Sequence, residues 1–291
     1  WTDLGEGEPI FLYSAFNEND EARYIVENLK SWIDQGNNRQ DAAVLYRSNA
    51  QSRVIESALL QFDIPYRVYG GQRFFERLEI KNALAYMRLI LNCHDDVAFE
   101  RVVNIPPRGI GERTVDAVRE HARNISISMW SAAKAMIVDK NLNTRSANAL
   151  AAFLNLINEM TNTLEALPLS ELAENSIEMS GLIEMHRREK GERGQSRVEN
   201  LEELVGACKN FTPESIDTPV LAQFLDQVSL EAGERQSNED QDAVQLMTLH
   251  SAKGLEFPLV IMAGMEENLF PHKMSQNEPG RLEEELSLIH I

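Results

Sequence analysis

Within nine residues, Thr248, His250, Lys253, Gly254 and Glu256 present a hydroxyl, an imidazole, an ammonium, a glycine and a carboxylate. A set of this kind can hold a polar ligand by hydrogen bonds and charge, with the glycine allowing close approach of the backbone. The apolar runs 244–247 and 259–263 on either side are β-rich, so the set occupies a loop between strands. Strands this apolar are expected to be buried on both faces, as in layered α/β sheets, where ligands sit at the carboxyl ends of strands. All five residues are expected at such an end. An ordinary strand connection turning on a glycine has the same composition, and the residues alone leave both readings open.

Two further segments carry chemistry. Arg47 and Asn49 follow directly on the apolar run Ala42–Tyr46, which puts polar groups at a second strand end; taken alone, Arg47 also fits a solvated loop charge. Pro106-Pro-Arg108-Gly109-Ile110-Gly111 separates two helical patterns. Its glycines let backbone N–H groups meet a phosphate at the start of the second helix, with Arg108 and Arg113 adding charge and Thr114 a further contact. Gly-hydrophobic-Gly turns also join helices that bind nothing.

Other chemistries are missing. There is no G-x-x-x-x-G-K-[ST] phosphate loop. No acidic pair ends a buried strand to hold magnesium, the six histidines lack metal-ligand spacing, and no Ser/His/Asp or Cys/His set is evident. Asp20-Glu-Ala-Arg23 resembles an ATPase acidic box, but it follows Phe16-Asn-Glu-Asn rather than an apolar strand, and it reads as a helix N-terminus. The chain is not expected to hydrolyse ATP by itself.

The elements that must position these groups follow from periodicity. Ile10–Tyr13 reads as a strand, and Asn19 or Asp20 can cap a helix carrying Ala22, Ile25, Leu29, Trp32 and Ile33 up to Gly36. Ala42–Tyr46 and Tyr66–Tyr69 read as strands with a helix through Val54, Ala58 and Leu59 between them, and Gly70-Gly71 ends the last. A long helix, Ile80 to Leu91, opens a stretch without strand signal, which sets a domain boundary near 70–75. Phe99–Ile105, Thr114–His121, 126–138, 146–164, 169–179, 196–210 and 218–231 read as packed helices, broken at Pro168, Gly181, Gly191–Gly194 and Pro213. Residues 233–242 form a polar acidic linker back to the sheet.

The chain has 291 residues, 43% of them hydrophobic and 25% charged, enough for a full core and for two domains. No apolar stretch approaches the roughly 18–20 residues that span a bilayer, and the first residues have no signal-peptide character, so the expected location is cytoplasmic with no membrane partner. Cys93 and Cys208 are expected as free buried thiols. The net charge of −18 weighs against a surface that grips nucleic acid everywhere, though not against a local basic track. Arg67, Arg73, Arg77, Lys81 and Arg88 could form one; Arg101, Arg108, Arg113, Arg119 and Arg123 form a second cluster nearly neutralised by Glu100, Glu112, Asp116 and Glu120.

Met247-Thr-Leu-His-Ser-Ala-Lys-Gly-Leu-Glu-Phe257 closely resembles motif V of the UvrD/PcrA/Rep group of superfamily 1 DNA helicases, and Gly264–Pro271 looks like the segment that follows it. Tyr46–Arg53 resembles motif IVa, Gly109-Ile110-Gly111 the duplex-contacting element, and Val198–Val205 another family segment, whose acidic face reads as solvated. The resemblance extends from Trp1 to about Glu285. It implies an α/β fold, a RecA-like parallel-sheet domain called 2A interrupted by a mostly α-helical inserted domain called 2B. The implied bounds are 1–70 and 241–291 for 2A, and 71–240 for 2B.

Carried over residue by residue, the resemblance implies that Arg47, Asn49, Thr248 and His250 contact single-stranded DNA. Arg108, Gly109, Ile110, Gly111 and Thr114 would contact duplex, and Glu256 with Gly254 the nucleotide. It further implies a fragment of an ATP-dependent 3′-5′ helicase or translocase of DNA repair or replication, with ATP and Mg2+ as cofactors of the whole enzyme and no tight binding of either by this part alone. Implied partners are single-stranded DNA, its junction with duplex, and repair proteins through 2B. The ending Leu286–Ile291 departs from the family, which continues into motif VI and an arginine that reaches the γ-phosphate; His290 is given no role. The alternative is a non-enzymatic DNA-binding or protein-docking module of helicase-like shape.

Overall fold

In the computed structural model, which describes residues 9–164, 166–233, 242–267 and 269–271, the chain is mixed α/β and forms two compact units. One unit contains all four strands. The other consists of Ser48–Ala50 and the residues from Gly71 to the end of the last helix. No helix among the described residues is long and apolar enough to cross a membrane.

In the sheet unit, α1 (Glu18–Asp34) starts where Asn17 accepts the N–H of Asp20 at 2.9 Å, and acids in its first turn suit the helix dipole. Asn17, rather than Asn19 or Asp20, is therefore the cap. Asp20 turns inward and accepts the Phe16 N–H at 3.1 Å and the Tyr13 hydroxyl at 3.0 Å. The Phe16 N–H foremost holds its carboxyl below the usual carboxylate range. Residues 9–15 do not form the strand their composition suggested: Ile10, Phe11 and Leu12 are 84–98% exposed. A strand needs a neighbour to complete its hydrogen-bond ladder, and none of the four described strands pairs with this segment.

The strands are β1 (Ala42–Tyr46), β2 (Tyr66–Val68), β3 (Val244–Thr248) and β4 (Leu259–Met262), with α2 (Ser52–Gln61) linking β1 to β2. They lie in the order β2-β3-β1-β4, every neighbouring pair parallel. Val44, Tyr46, Val244 and Leu246 pack under Ile25 and Leu29 of α1 and Ile55 and Leu59 of α2. Ala43, Leu45 and Met247 face the other way, against Leu249, Ala252 and Phe270. Both central strands are thus covered on two faces, as their unbroken apolar runs require. β4 departs from that expectation: it is an edge strand, and Val260 is 45% exposed.

The helical unit is organised on α3 (Leu78–Leu91), ten of whose fourteen residues are buried. Against it pack α4 (Asp96–Val102), α7 (Thr144–Thr161), α8 (Leu169–Ser180), α10 (Glu192–Asn210) and α11 (Val220–Gly233). Completing the unit are α5 (Glu112–Asn124), α6 (Met129–Val138) and α9 (Leu182–Arg187), the last unforeseen in the periodicity. Gly181, at φ +80°, separates α8 from α9 as a left-handed cap. The expected break at Gly191–Gly194 is only partly present, because α10 begins at Glu192 and Gly194 lies inside it. Cys93 and Cys208 are free thiols, and only Cys208 is fully buried.

Tyr86 of α3 is fully buried, with its hydroxyl donating to the carbonyls of Ile105 and Val102. Burial pushes its pKa from 10.0 up to about 12. The folded chain therefore keeps a proton that the unfolded chain releases above its ordinary pKa, and stability should fall as pH rises through that window. One unit above the unfolded pKa the loss is about 1.4 kcal/mol. Thermal melts across alkaline pH check this. The slope should flatten in Tyr86→Phe, and an unchanged slope would show that another group titrates there.

Candidate nucleic-acid interface

Register brings the two strand-end segments together. Tyr46 pairs with Thr248 at the carboxyl ends of adjacent parallel strands, and the Leu249 N–H donates to the Tyr46 carbonyl at 2.9 Å. Arg47 and His250 thus leave one rim from neighbouring strands. Thr248 Oγ1 lies 2.9 Å from Ser251 Oγ and accepts the Ser251 N–H at 3.2 Å; the Ala252 N–H closes the turn on the Thr248 carbonyl at 3.0 Å. Leu249 and Ala252 sink into the core, and this tight turn leaves His250, Lys253 and Gly254 exposed. Gly254 takes φ +85° with open space where a side chain would stand.

The five candidate residues do not share one strand end. Thr248 pairs with Tyr46 at the carboxyl end of β1, whereas Leu259 pairs with Ala42 at its amino end. Residues 249–258 therefore run back along the sheet, with Leu255 and Phe257 partly buried against its second face. Glu256 points to the exposed side of that return path, three residues before β4. Parallel strands require such a crossover, and the order of residue types gives no hint of where it turns.

Sequence reasoning missed three residues that shape the rim. Gln51 Oε1 accepts the Arg47 N–H at 3.0 Å, and Gly264, just past β4, lies so close to Gln51 Nε2 that a Cβ there would collide with it. The Gly264 N–H also donates to Glu21 Oε1 at 2.8 Å, and its φ of +68° favours glycine. A glycine immediately after an apolar strand was the available signal.

In the helical unit, Asn49 presents its carbonyl to Arg77 at 2.8 Å and Ser48 donates to Glu199 at 2.7 Å. Glu199 is thus half-buried and engaged, whereas Glu202 is exposed, as the expected solvated acidic face requires. At the Gly-Ile-Gly turn, Gly109 (φ +79°) and Gly111 are exposed with open space around them, and Gly111 starts α5 without a side-chain cap. The first N–H groups of that helix have no partner within it. Ile110 is buried and anchors the turn. Thr114 donates to Ser146 at 3.2 Å. Arg108 folds back: Nη2 donates to the Ser180 carbonyl at 2.8 Å, Nη1 to that of Pro106 at 3.0 Å, and the guanidinium lies over the Tyr86 and Phe153 rings. Its charge is committed inside the fold, and Arg113 is the exposed cation of the turn.

The first expected basic track is interrupted, with Arg67, Lys81 and Arg88 half-buried. Arg73 and Arg77 are buried, Arg73 donating to the Ala232 carbonyl, and Arg88 donates to Ser229. In the second cluster Arg119 is paired with both Glu100 and Asp116. Among the described residues no group of three His, Cys, Asp or Glu side chains is placed to hold a metal ion.

The model of the UvrD-like helicase C-terminal domain matches residues 1–291. The chain is 54% identical over 293 residues to DNA helicase II of Escherichia coli, covering 100% of this chain and 41% of that protein. It is 51% identical to DNA helicase II of Haemophilus influenzae and 38% identical to the ATP-dependent DNA helicase PcrA of Bacillus subtilis, covering all of this chain and 40% of each. The chain thus spans about two fifths of the length of these curated relatives.

Proposed function

The chain belongs to the UvrD-like helicase C-terminal domain family, and on that footing we propose that it is the 2A and 2B part of an ATP-dependent helicase moving 3′ to 5′ along one DNA strand. The observation that carries the proposal is the pairing of β1 with β3, which sets Arg47 beside the Thr248–His250 turn at one sheet rim. A hydroxyl, an imidazole and a guanidinium suit contacts to phosphate and sugar that ignore base identity. In this reading Arg47, Asn49, Thr248 and His250 hold the tracked strand. Exposed N–H groups at Gly109, Gly111 and the start of α5 meet duplex phosphates, with Arg113 supplying charge. Ile110, Arg108 and Thr114 fix that turn from within.

The division follows the same reading: residues 1–70 and 241–291 form 2A, and 71–240 form 2B. ATP with Mg2+ supplies the whole enzyme with the free energy that shifts two RecA-like domains between open and closed populations. Glu256 fits a place beside the nucleotide, since it stands on an exposed return loop and a carboxylate is able to accept hydrogen bonds from sugar hydroxyls. DNA repair or replication is the proposed setting, with repair proteins docking through 2B.

Binding of a fluorescent oligo-dT to the chain, followed by anisotropy at several salt concentrations, tests the strand contacts. Affinity should fall as salt rises, and His250→Ala should weaken it about tenfold, the worth of one charge-assisted contact. Binding indifferent to both, or none at all, would leave a non-enzymatic DNA-binding or protein-docking module of helicase-like shape.

A further inference from the structure

We propose that Glu199 and Asn200, consecutive on α10, are positioning residues for the strand-gripping segment Ser48–Ala50, an inference that rests on Asn49 meeting single-stranded DNA as read above. The segment's sequence neighbours Arg47 and Gln51 belong to the sheet unit, but Ser48–Ala50 itself packs with the helical unit. Two attachments hold it there. Ser48 Oγ donates to Glu199 Oε2 at 2.7 Å, and the Ala50 N–H reaches back to Ser48 Oγ at 3.4 Å. One residue along α10, Asn200 Oδ1 accepts from Arg77 Nη1 at 2.9 Å, and the same Nη1 donates to the Asn49 carbonyl at 2.8 Å.

The second attachment has a fixed direction. Asn200 Nδ2 donates to Glu79 Oε1 at 2.6 Å, so its amide cannot flip without setting Nδ2 against a guanidinium and Oδ1 against a carboxylate. Arg77, Glu79 and Asn200 are 7%, 5% and 3% exposed, and groups so far from water lose much if misaligned. Carboxylate, amide, guanidinium and carbonyl therefore form a one-way series ending on the main chain of Asn49. A loop held this way is shaped before any strand arrives, which spares the ordering entropy that binding would otherwise cost. α10 thus bears on the grip from 151 positions away in sequence.

The test uses the 291-residue chain and anisotropy with fluorescent oligo-dT. Ser48→Ala and Glu199→Ala should each weaken binding about three- to tenfold, and the double variant no further than either alone, because both remove one shared contact. Glu199→Gln keeps an acceptor for Ser48 and should restore affinity to within about twofold, a rescue that a general loss of packing would not allow. Unchanged affinity in the single variants, or additive losses in the double, overturns the inference while binding that is weakened in His250→Ala upholds the parent reading. No oligo-dT binding by the unsubstituted chain, or binding indifferent to His250→Ala and Asn49→Ala, overturns both.

Discussion

Arg77→Ala is expected to destabilise the helical unit by about 3–5 kcal/mol, the range for removing a buried charged partner and leaving its acceptors unmet. Arg77 Nη1 serves the Asn49 carbonyl and Asn200 Oδ1, Nε donates to the Gln72 carbonyl at 3.2 Å, and the guanidinium lies over the Phe74 ring at 5.2 Å. Truncation orphans acceptors on three segments at once, and no water reaches them easily because Arg77 itself is buried. A fall in melting temperature on the order of 10 °C should follow. Arg77→Lys should recover only part of it, since an ammonium cannot reproduce the planar fork. A melting temperature within about 2 °C of the unsubstituted chain would mean that these hydrogen bonds carry little net energy.

Gly194→Ala should lose about 3 kcal/mol, against the sign that helix propensity gives. In an exposed helix interior this change gains about 0.5–1 kcal/mol. Here a Cβ would stand 2.5 Å from the His186 carbonyl oxygen and 2.8 Å from that of Glu189, both backbone atoms that cannot swing aside. The start of α10 would have to withdraw from the end of α9, and overpacking of that kind outweighs the propensity gain. Denaturant melts of the single variant decide it, and a stabilised protein would show that the two helices do not need their close approach.

The strands β1 and β3 were legible because both are buried on two faces and so carry unbroken apolar runs, and the helices because their apolar stripes repeat at helical spacing. Ile10–Tyr13 carried the same strand signal and is not one here, since composition cannot report whether a neighbouring strand is available. Arg73 and Arg77 read as a basic surface because a sequence displays charge and hides the partner that buries it. Gly194 read as a break because a glycine that ends an element and one that admits a neighbouring backbone look alike. Of the candidate site, Thr248, His250 and Arg47 were placed at strand ends by the apolar runs before them, whereas Gln51 and Gly264 became visible only by their mutual approach.

The amino-acid order alone determined most of the segments that fold as strand or helix, Ile10–Tyr13 and α9 excepted, and the polar groups that leave the ends of β1 and β3, because periodicity, capping and turn chemistry act over a few residues. Only the tertiary structure decided that β3 returns beside β1, that Glu256 departs along the sheet from His250, and that Glu199 reaches Ser48. Those contacts join positions far apart in the chain, and a partner chosen by the packing of whole elements leaves no mark in the local pattern of either residue.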